Sequence, residues 1–275
     1  MSVTRTRIIL LVIAAILLTY LIYRLPIANT NAKKSDSIDK VEEVAIPLDW
    51  EKFIDSASSG LLPEQISQLR AVTEKPNFEK DIVAIDTVAM MWEQFNYPGI
   101  AAHYKEKIAQ QQPNEKNCLA AAFRYFDAFK IATDETERKA MVDAAILNYK
   151  KVIEYNPENL NAKTDLGVLY AEGTSDPMAG IMLLREVVAK DPKHENAQMN
   201  LGLLSLKSNQ NDKAIERFEN VLQINPARLE MYVYKAYAYV AMKDTSKAKE
   251  NFELFLKNSD DEVAKQQVKD YMKEL

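Results

Sequence analysis

Residues 196–226 have the sequence NAQMNLGLLSLKSNQNDKAIERFENVLQINP. The stretch carries a Leu-Gly pair, then an alanine, an aromatic residue and a closing proline, which are Leu201, Gly202, Ala214, Phe218 and Pro226. We interpret it as two helices, A and B, joined by a turn. The small residues mark where the helices approach too closely for larger side chains. Pro226 ends helix B because proline cannot donate the helical hydrogen bond.

The same residue types recur along the chain with a period of about 34. The following unit has, in register, Ala236, Tyr239, Ala248, Phe252 and Phe255. The preceding unit, with one residue inserted near 176–177, has Leu166, Gly167, Tyr170, Ala179, Leu183 and Pro192. Farther upstream the register continues through Ala89, Trp92, Ala101, Ile108 and Pro113.

This recurrence resembles the tetratricopeptide repeat (TPR) family, whose helix A carries Leu-Gly and Tyr and whose helix B carries Ala, an aromatic residue and a closing Pro. The resemblance implies an all-α fold, a right-handed superhelix of helix pairs in which stacking buries the apolar side of each hairpin. The expected array covers residues 79–258, with units at about 82–115, 115–157, 160–193, 195–228 and 229–258. The unit 115–157 departs from the pattern through a longer first helix, and Asp134 with Glu137 predicts a capping box for its second helix.

The two ends of the array are predicted to be capped. Residues 47–78 read as a degenerate capping hairpin with helices over 49–58 and 63–73. Residues 259–275 read as a last helix that begins with a capping box of Ser259 and Glu262. The residues expected to cover the open end of the array are Val263, Val268, Tyr271, Met272 and Leu275.

Residues 1–27 read as an N-terminal transmembrane signal anchor. The run 8–23 has no charge, and it reaches about twenty residues, enough to cross the hydrocarbon core, if Arg24 extends its charged end to the interface. A cleaved signal peptide is the alternative, with Thr30-Asn31-Ala32 as the cleavage candidate. Residues 28–46 are polar and read as a flexible tether.

Basic residues flank this segment on both sides, so the count of positive charges that predicts the cytoplasmic side is nearly balanced. A short N-terminal tail ahead of a large body normally stays in the cytoplasm. We therefore expect a single-pass protein of the inner (cytoplasmic) membrane with its body on the periplasmic side. A body that faces the cytoplasm is the alternative.

Composition excludes several classes of function. Residues 1–34 hold five basic and no acidic residues, so residues 35–275 carry 30 Lys and Arg against 40 Asp and Glu. An acidic body of this kind disfavours contact with phosphate backbones, and we expect no nucleic-acid partner. The chain lacks a phosphate-binding loop and an HExxH motif, so we expect no enzyme, no cofactor and no metal site.

Three residues could have carried chemistry and are given structural roles instead. Cys118, the one cysteine, is expected to be a small packed hydrophobe, since free cysteine is usually buried. His103 is expected at a hairpin surface, and His194 in a turn between repeats. Neither has a second ligand at a spacing typical of metal sites.

The resemblance also places a concave groove, lined by helix A, along the array. The groove positions that it implies hold Asn161, Thr164, Val168, Glu172, Asn196, Met199, Asn200, Leu203, Lys207, Glu230, Val233, Tyr234, Tyr237 and Val240. Members of the family that bind chaperones use Lys, Arg and Asn at such positions as a carboxylate clamp, but Thr164, Val168 and Met199 stand here instead. The alternative is that apolar residues such as Leu203 and Val233 pack against neighbouring helices.

These observations predict a membrane-tethered scaffold that binds a protein or peptide partner through this groove. Membrane-anchored proteins of this layout resemble assembly factors for exported proteins. A structural protein that associates with copies of itself through an open end of the array is the alternative.

Overall fold

The computed structural model describes residues 48–275, and these residues form α-helices and connections without a β-strand. The predicted anchor, residues 1–27, and the tether, residues 28–46, lie outside the described part. Among residues 48–275, no helix combines the length and apolar character that crossing a membrane requires. The described chain divides into two compact units, which we call the N-terminal unit (residues 48–208) and the C-terminal unit (residues 209–275).

The N-terminal unit contains nine α-helices and a short 3-10 turn, Phe78–Lys80. The helices are α1 (Trp50–Ser59), α2 (Pro63–Thr73), α3 (Ile82–Gln94), α4 (Pro98–Gln111), α5 (Glu115–Ile131), α6 (Glu135–Tyr155), α7 (Leu160–Gly173), α8 (Pro177–Lys190) and α9 (Glu195–Lys207). From α2 onward each helix packs against the next, so the pairs α3–α4, α5–α6 and α7–α8 stack in chain order. Large side chains fill the space between them, among which Trp92, Tyr125, Phe129, Tyr149 and Leu184 are fully buried.

The C-terminal unit contains four helices, α10 (Asn211–Ile224), α11 (Glu230–Ala241), α12 (Thr245–Asn258) and α13 (Glu262–Met272). They too pack in chain order. Contacts between aromatic rings stabilise the unit. Phe218 stacks on Tyr234, with ring centroids 5.5 Å apart. The Tyr271 ring makes T-shaped contacts with the rings of Tyr237 and Phe252, at centroid distances of 5.3 and 5.6 Å. The predicted all-α architecture of helix pairs is confirmed for the described residues.

The prolines end the second helices as expected, and in three of these helices an Asn or Asp before the proline contributes. Asn156 and Asp191 cap α6 and α8, and each accepts a hydrogen bond on its side chain from the backbone N–H two residues on. Asn225 does the same after α10. An Asx side chain followed by proline therefore closes the helix and starts the turn. Of the predicted capping box, the Asp134 half is confirmed, since its carboxylate accepts from Glu137 N–H at 2.8 Å, whereas the return bond from Asp134 N–H to the Glu137 carboxylate does not form.

The close approach in the pair α7–α8 lies one residue later than predicted. The sequence register assigned it to Ala179, but the closest approach is at Gly180, and Leu184 rather than Leu183 is fully buried. The residue inserted near 176–177 shifts the whole of α8 by one position. Gly167 is confirmed as the partner in this approach.

The front of the array differs from the predicted capping hairpin. Helices form over both predicted segments, and Phe53 of α1 packs on a cluster that includes Leu69 of α2, but Trp50 contacts later helices. Trp50 stacks on His103 of α4, with ring centroids 4.3 Å apart, and lies 6.1 Å from the ring of Tyr125. His103 is therefore covered by α1 and does not lie at an open hairpin surface.

The last helix begins two residues later than the predicted capping box implied. Asp261 is its N-cap and accepts from Val263 and Ala264 N–H, whereas Ser259 is the C-cap of α12. Ala264 and Val268 are buried, but Val263 and Leu275, which were expected to cover the end of the array, are exposed. Residues 264, 268 and 271 share one face of α13, and only that face packs against the unit.

Candidate protein-binding surfaces

On α7, most of the predicted groove residues are covered. Thr164 and Val168 are buried, and the Thr164 hydroxyl donates to the Leu160 carbonyl oxygen at 2.8 Å. Helix α7 lies between α5 and α9 and contacts both of them. Because these neighbours cover it, α7 offers little more than the exposed Asn161 and Glu172 to a partner.

Asn161 is linked to the turn before α9. His194 caps α9, with Nδ1 accepting from Ala197 N–H at 3.3 Å, and its Nε2 lies 3.1 Å from Asn161 Oδ1. Since Nδ1 accepts, the proton is on Nε2, which donates to the amide oxygen. His194 therefore has the structural role that the sequence predicted.

Helix α9 presents its predicted groove residues at the surface. Asn196 is exposed, while Met199, Asn200 and Leu203 are half-buried. Asn200 Nδ2 donates to the Asn196 carbonyl oxygen at 2.8 Å. Helix α9 thus combines amide groups and apolar side chains on one partly accessible face.

On α11, in contrast, Val233, Tyr234 and Tyr237 are buried within the C-terminal unit. Burial raises the pKa of Tyr234 to about 12, and it also raises the pKa of Tyr237. Glu230 is half-buried and pairs with Arg228 at 3.2 Å. The apolar stripe that suggested a groove on α11 reflects packing, which was the alternative interpretation.

Two earlier helices expose apolar residues that the sequence analysis did not select. Val83 and Met90 of α3 are 75% and 52% exposed, and Phe123 of α5 is 42% exposed. Arg124 joins the two helices through an ion pair with Glu93 (Nη2 to Oε1, 2.7 Å), and its guanidinium lies 5.6 Å from the Phe123 ring centroid.

A sequence signal for these residues existed. Met90 follows Ala89 in the same way that Val168 follows Gly167 and Leu203 follows Gly202. Extending the helix-A register to α3 would therefore have selected Met90. The equivalent position on α5 is Phe123, which follows Ala122. It could not be assigned from the sequence because α5 is longer than the first helix of a regular unit.

The buried titratable groups of the N-terminal unit bond to one another across helices. Tyr125 Oη of α5 donates to Glu106 of α4 at 2.8 Å, and Tyr149 Oη of α6 donates to Asp165 of α7 at 2.9 Å. Burial raises the pKa of both tyrosines and of Asp165. Each pair links neighbouring helices, which is a structural role.

The remaining candidate for chemistry is also part of the packing. Cys118 is buried, which raises the pKa of its thiol above the ordinary value and makes it a poor nucleophile. Within residues 48–275, no three His, Cys, Asp or Glu side chains come together in a way that could hold a metal ion.

Comparison with known proteins supports the repeat. Residues 195–228 match the family model of the tetratricopeptide repeat. A search of curated proteins found no match to the sequence. Among solved structures, the chain is similar to a tetratricopeptide repeat protein from Parabacteroides merdae, with 15% identity and a TM-score of 0.56 over 82% of this chain and 88% of that one.

Two further structures are similar. They are pilF of Pseudomonas aeruginosa (17% identity, TM-score 0.51, 68% of this chain and 80% of that one) and the MamA protein (20% identity, TM-score 0.50, 64% and 90%). At such identities the likeness concerns the fold alone. The family model covers one helix pair of the chain, and the structural likeness supports an all-α fold of stacked helix hairpins for the rest of the described residues.

Proposed function

We propose that this protein is a non-enzymatic scaffold that binds a protein or peptide partner through the face of α9. The observation that carries the proposal is the partial exposure of Asn196, Met199, Asn200 and Leu203 within the repeat that matches the family model. Amide side chains can bond the backbone of a bound segment, and apolar neighbours can hold its anchor side chains.

The exposed residues of α3 and α5 extend this proposal within the N-terminal unit. Val83, Met90 and Phe123 offer a second apolar area, and the Glu93–Arg124 pair fixes the two helices that carry it. Exposed apolar area of this kind is typical of interaction surfaces when it is contiguous.

We further propose that residues 1–27 anchor the scaffold in the inner membrane, with the body on the periplasmic side and with exported proteins under assembly as the partners. The support for this step is the uncharged run 8–23 and the polar segment that follows it. Accessibility of a C-terminal tag in intact cells tests it. Reaction with an impermeant reagent is expected, and protection of the tag in intact cells would contradict the orientation.

A matched pair of variants tests the binding face. Asn200→Arg places a long cation on the face of α9, and Gln110→Arg replaces another amide side chain by arginine at an exposed position of α4. After crosslinking in intact membranes, we expect Asn200→Arg to reduce recovery of the partner roughly tenfold, as loss of an interface hot spot does. Gln110→Arg should retain recovery. Equal recovery by both variants, with unchanged helicity, would contradict the proposal.

Self-association remains the second candidate because Val263 of α13 is 53% exposed and Leu275, which follows the helix, is 36% exposed. A face of this kind could pair with a second copy. Val263→Glu separates the candidates: if the protein is a self-associating array, this change lowers its oligomeric state in analytical ultracentrifugation. If it is a scaffold for other proteins, oligomeric state and partner recovery stay unchanged.

A further inference from the structure

A pocket of about 100 Å³ lies inside the N-terminal unit, away from the face of α9. Two connections form it with their adjoining helix ends, the α3–α4 turn and the α5–α6 connection, while Phe53 of α1 lies at one side. Its lining consists of Phe53, Asn96, Tyr97, Pro98, Gly99, Ile100, Ala128, Ile131, Ala132, Thr133 and Glu137. We call it the Glu137 pocket.

Apolar side chains and polar groups both line the Glu137 pocket, and polar atoms make up the larger part of its accessible surface. Ile100 and Ala128 are buried beneath it, and Phe53 is half-buried at its side. Ile131 is 49% exposed at the rim. A partner side chain with an aliphatic part would cover this surface.

Glu137 is the one acidic residue in the lining. Burial first, and then the charge of Asp134, raise the pKa of its carboxyl above the ordinary value. Among residues 48–275, no Lys, Arg or His forms an ion pair with it. The carboxylate has therefore lost part of its hydration without gaining a cation in exchange.

We propose that the Glu137 pocket binds a lysine or arginine side chain presented by a partner protein. The aliphatic stem lies against Phe53, Pro98 and Ile131, and the cationic end reaches Glu137. Long basic side chains combine these two characters, since they bury their stems while the charged head keeps a polar partner.

The negative charge of Glu137 disfavours apolar and acidic side chains as occupants of the pocket. A purely apolar side chain would bury the Glu137 carboxylate further without a partner, and an acidic one would add a like charge beside Asp134 and Glu137. The surplus of acidic residues over 35–275 also attracts a basic partner segment over longer distances. The inference rests on the proposed scaffold function, because it assigns part of the partner's chemistry.

Two peptide probes test the pocket with the full chain held in nanodiscs. One is the acetylated, amidated peptide Ala-Ala-Lys-Ala-Ala, and the other has norleucine in place of lysine. Methyl NMR of Ile100, Ile131 and Ala128 reports on occupancy. We expect the lysine peptide to shift these resonances and the norleucine peptide to bind roughly tenfold more weakly, the usual loss of a hydrogen bond to a charged group.

A pair of charge-matched variants completes the test. Glu137→Gln and Glu135→Gln each remove one negative charge two residues apart at the start of α6, but Glu135 is exposed and outside the pocket lining. Glu137→Gln should weaken the lysine peptide roughly tenfold, and Glu135→Gln should leave its affinity nearly unchanged. Equal affinity for both peptides, equal effects of the two variants, or no shift of the pocket methyl groups would overturn the proposal.

The result separates this inference from the proposed function. If Asn200→Arg abolishes partner recovery but the lysine peptide leaves the pocket unchanged, only the pocket proposal fails. If the pocket binds lysine as expected but Asn200→Arg has no effect, the scaffold function through α9 fails.

Discussion

At Gly180 the backbones of α7 and α8 are in direct contact. A Cβ atom there would lie 2.2 Å from the Gly167 carbonyl oxygen and 2.5 Å from the Ala171 nitrogen. Neither backbone atom can move without a shift of its helix, so Gly180→Ala should lower the free energy of unfolding by about 2–3 kcal/mol. Gly99→Ala is the control, because its nearest contact is the flexible Met141 side chain at 3.1 Å. Urea unfolding measures both, and equal stability of the two variants would contradict the contact.

His103 makes the stability of the N-terminal unit dependent on pH. Burial, and then the charge of Lys107, lower its pKa from 6.5 to about 4. The folded state therefore binds fewer protons than the unfolded state between these values, and stability falls as the pH drops from about 6.5 to about 4.

His103→Gln should remove this part of the pH dependence. Unfolding measured at several pH values, with the parent chain as the reference, isolates the contribution. Trp50→Ala, which uncovers the imidazole, should raise the pKa of His103 toward 6.5, and NMR titration reads it directly. Identical pH profiles for His103→Gln and the parent chain would refute the argument.

Val233 distinguishes packing from binding on α11. It is buried, so Val233→Glu should destabilise the C-terminal unit by about 3 kcal/mol or more, because it places an unpaired charge among apolar side chains. Met242→Glu, at an exposed position just after α11, should stay within about 0.5 kcal/mol of the parent chain. Circular dichroism during thermal unfolding tests the pair. A stable Val233→Glu variant with impaired partner binding would restore the original groove interpretation.

At the level of single helices, α13 illustrates how an end of the array is closed. Its Tyr271 contacts Tyr237 and Phe252, and its other face is exposed. Removing residues 259–275 should uncover both rings and cause aggregation, which light scattering measures, whereas removing only 273–275 should not. A clean monomer after the longer deletion would instead identify α13 as an assembly surface.

The helix pairs could be predicted from the sequence because their determinants are local and repeated. Small residues, aromatic residues and Asx-Pro steps recur at fixed spacing, and each has a physical reason to stand where it does. Gly180 was not predicted as the contact residue because the sequence does not show where, in the turn between α7 and α8, the extra residue is accommodated. The repeat register of α8 could therefore be off by one residue. The stacking of Trp50 on His103 joins residues distant in the chain, which periodicity cannot detect.

The candidate site was predicted only in part, for a related reason. The position of a residue in the first helix of a repeat predicts on which face of that helix it lies. Whether that face is accessible to a partner depends on the neighbouring helices, which the repeat pattern does not reveal. Helix α9 keeps Asn196 exposed, whereas α5 and α9 cover α7, and α13 covers Tyr237. Met90 and Phe123 could not be predicted in the same way, because they lie in units that depart from the regular repeat pattern.

For the whole chain, the membrane proposal makes a direct prediction. Full-length protein should remain in the membrane fraction after alkaline carbonate extraction, and a chain that begins at Leu48 should not. Retention of the shorter chain to the same extent would show that the anchor is elsewhere.

The central claim is that the face of α9 contacts another protein. A photo-reactive amino acid at position 200, compared with the same amino acid at position 110, tests it most directly in intact cells. The account predicts that position 200 crosslinks to a distinct polypeptide while position 110 does not. Crosslinking of both positions to the same products, or of position 200 only to this chain itself, would contradict it.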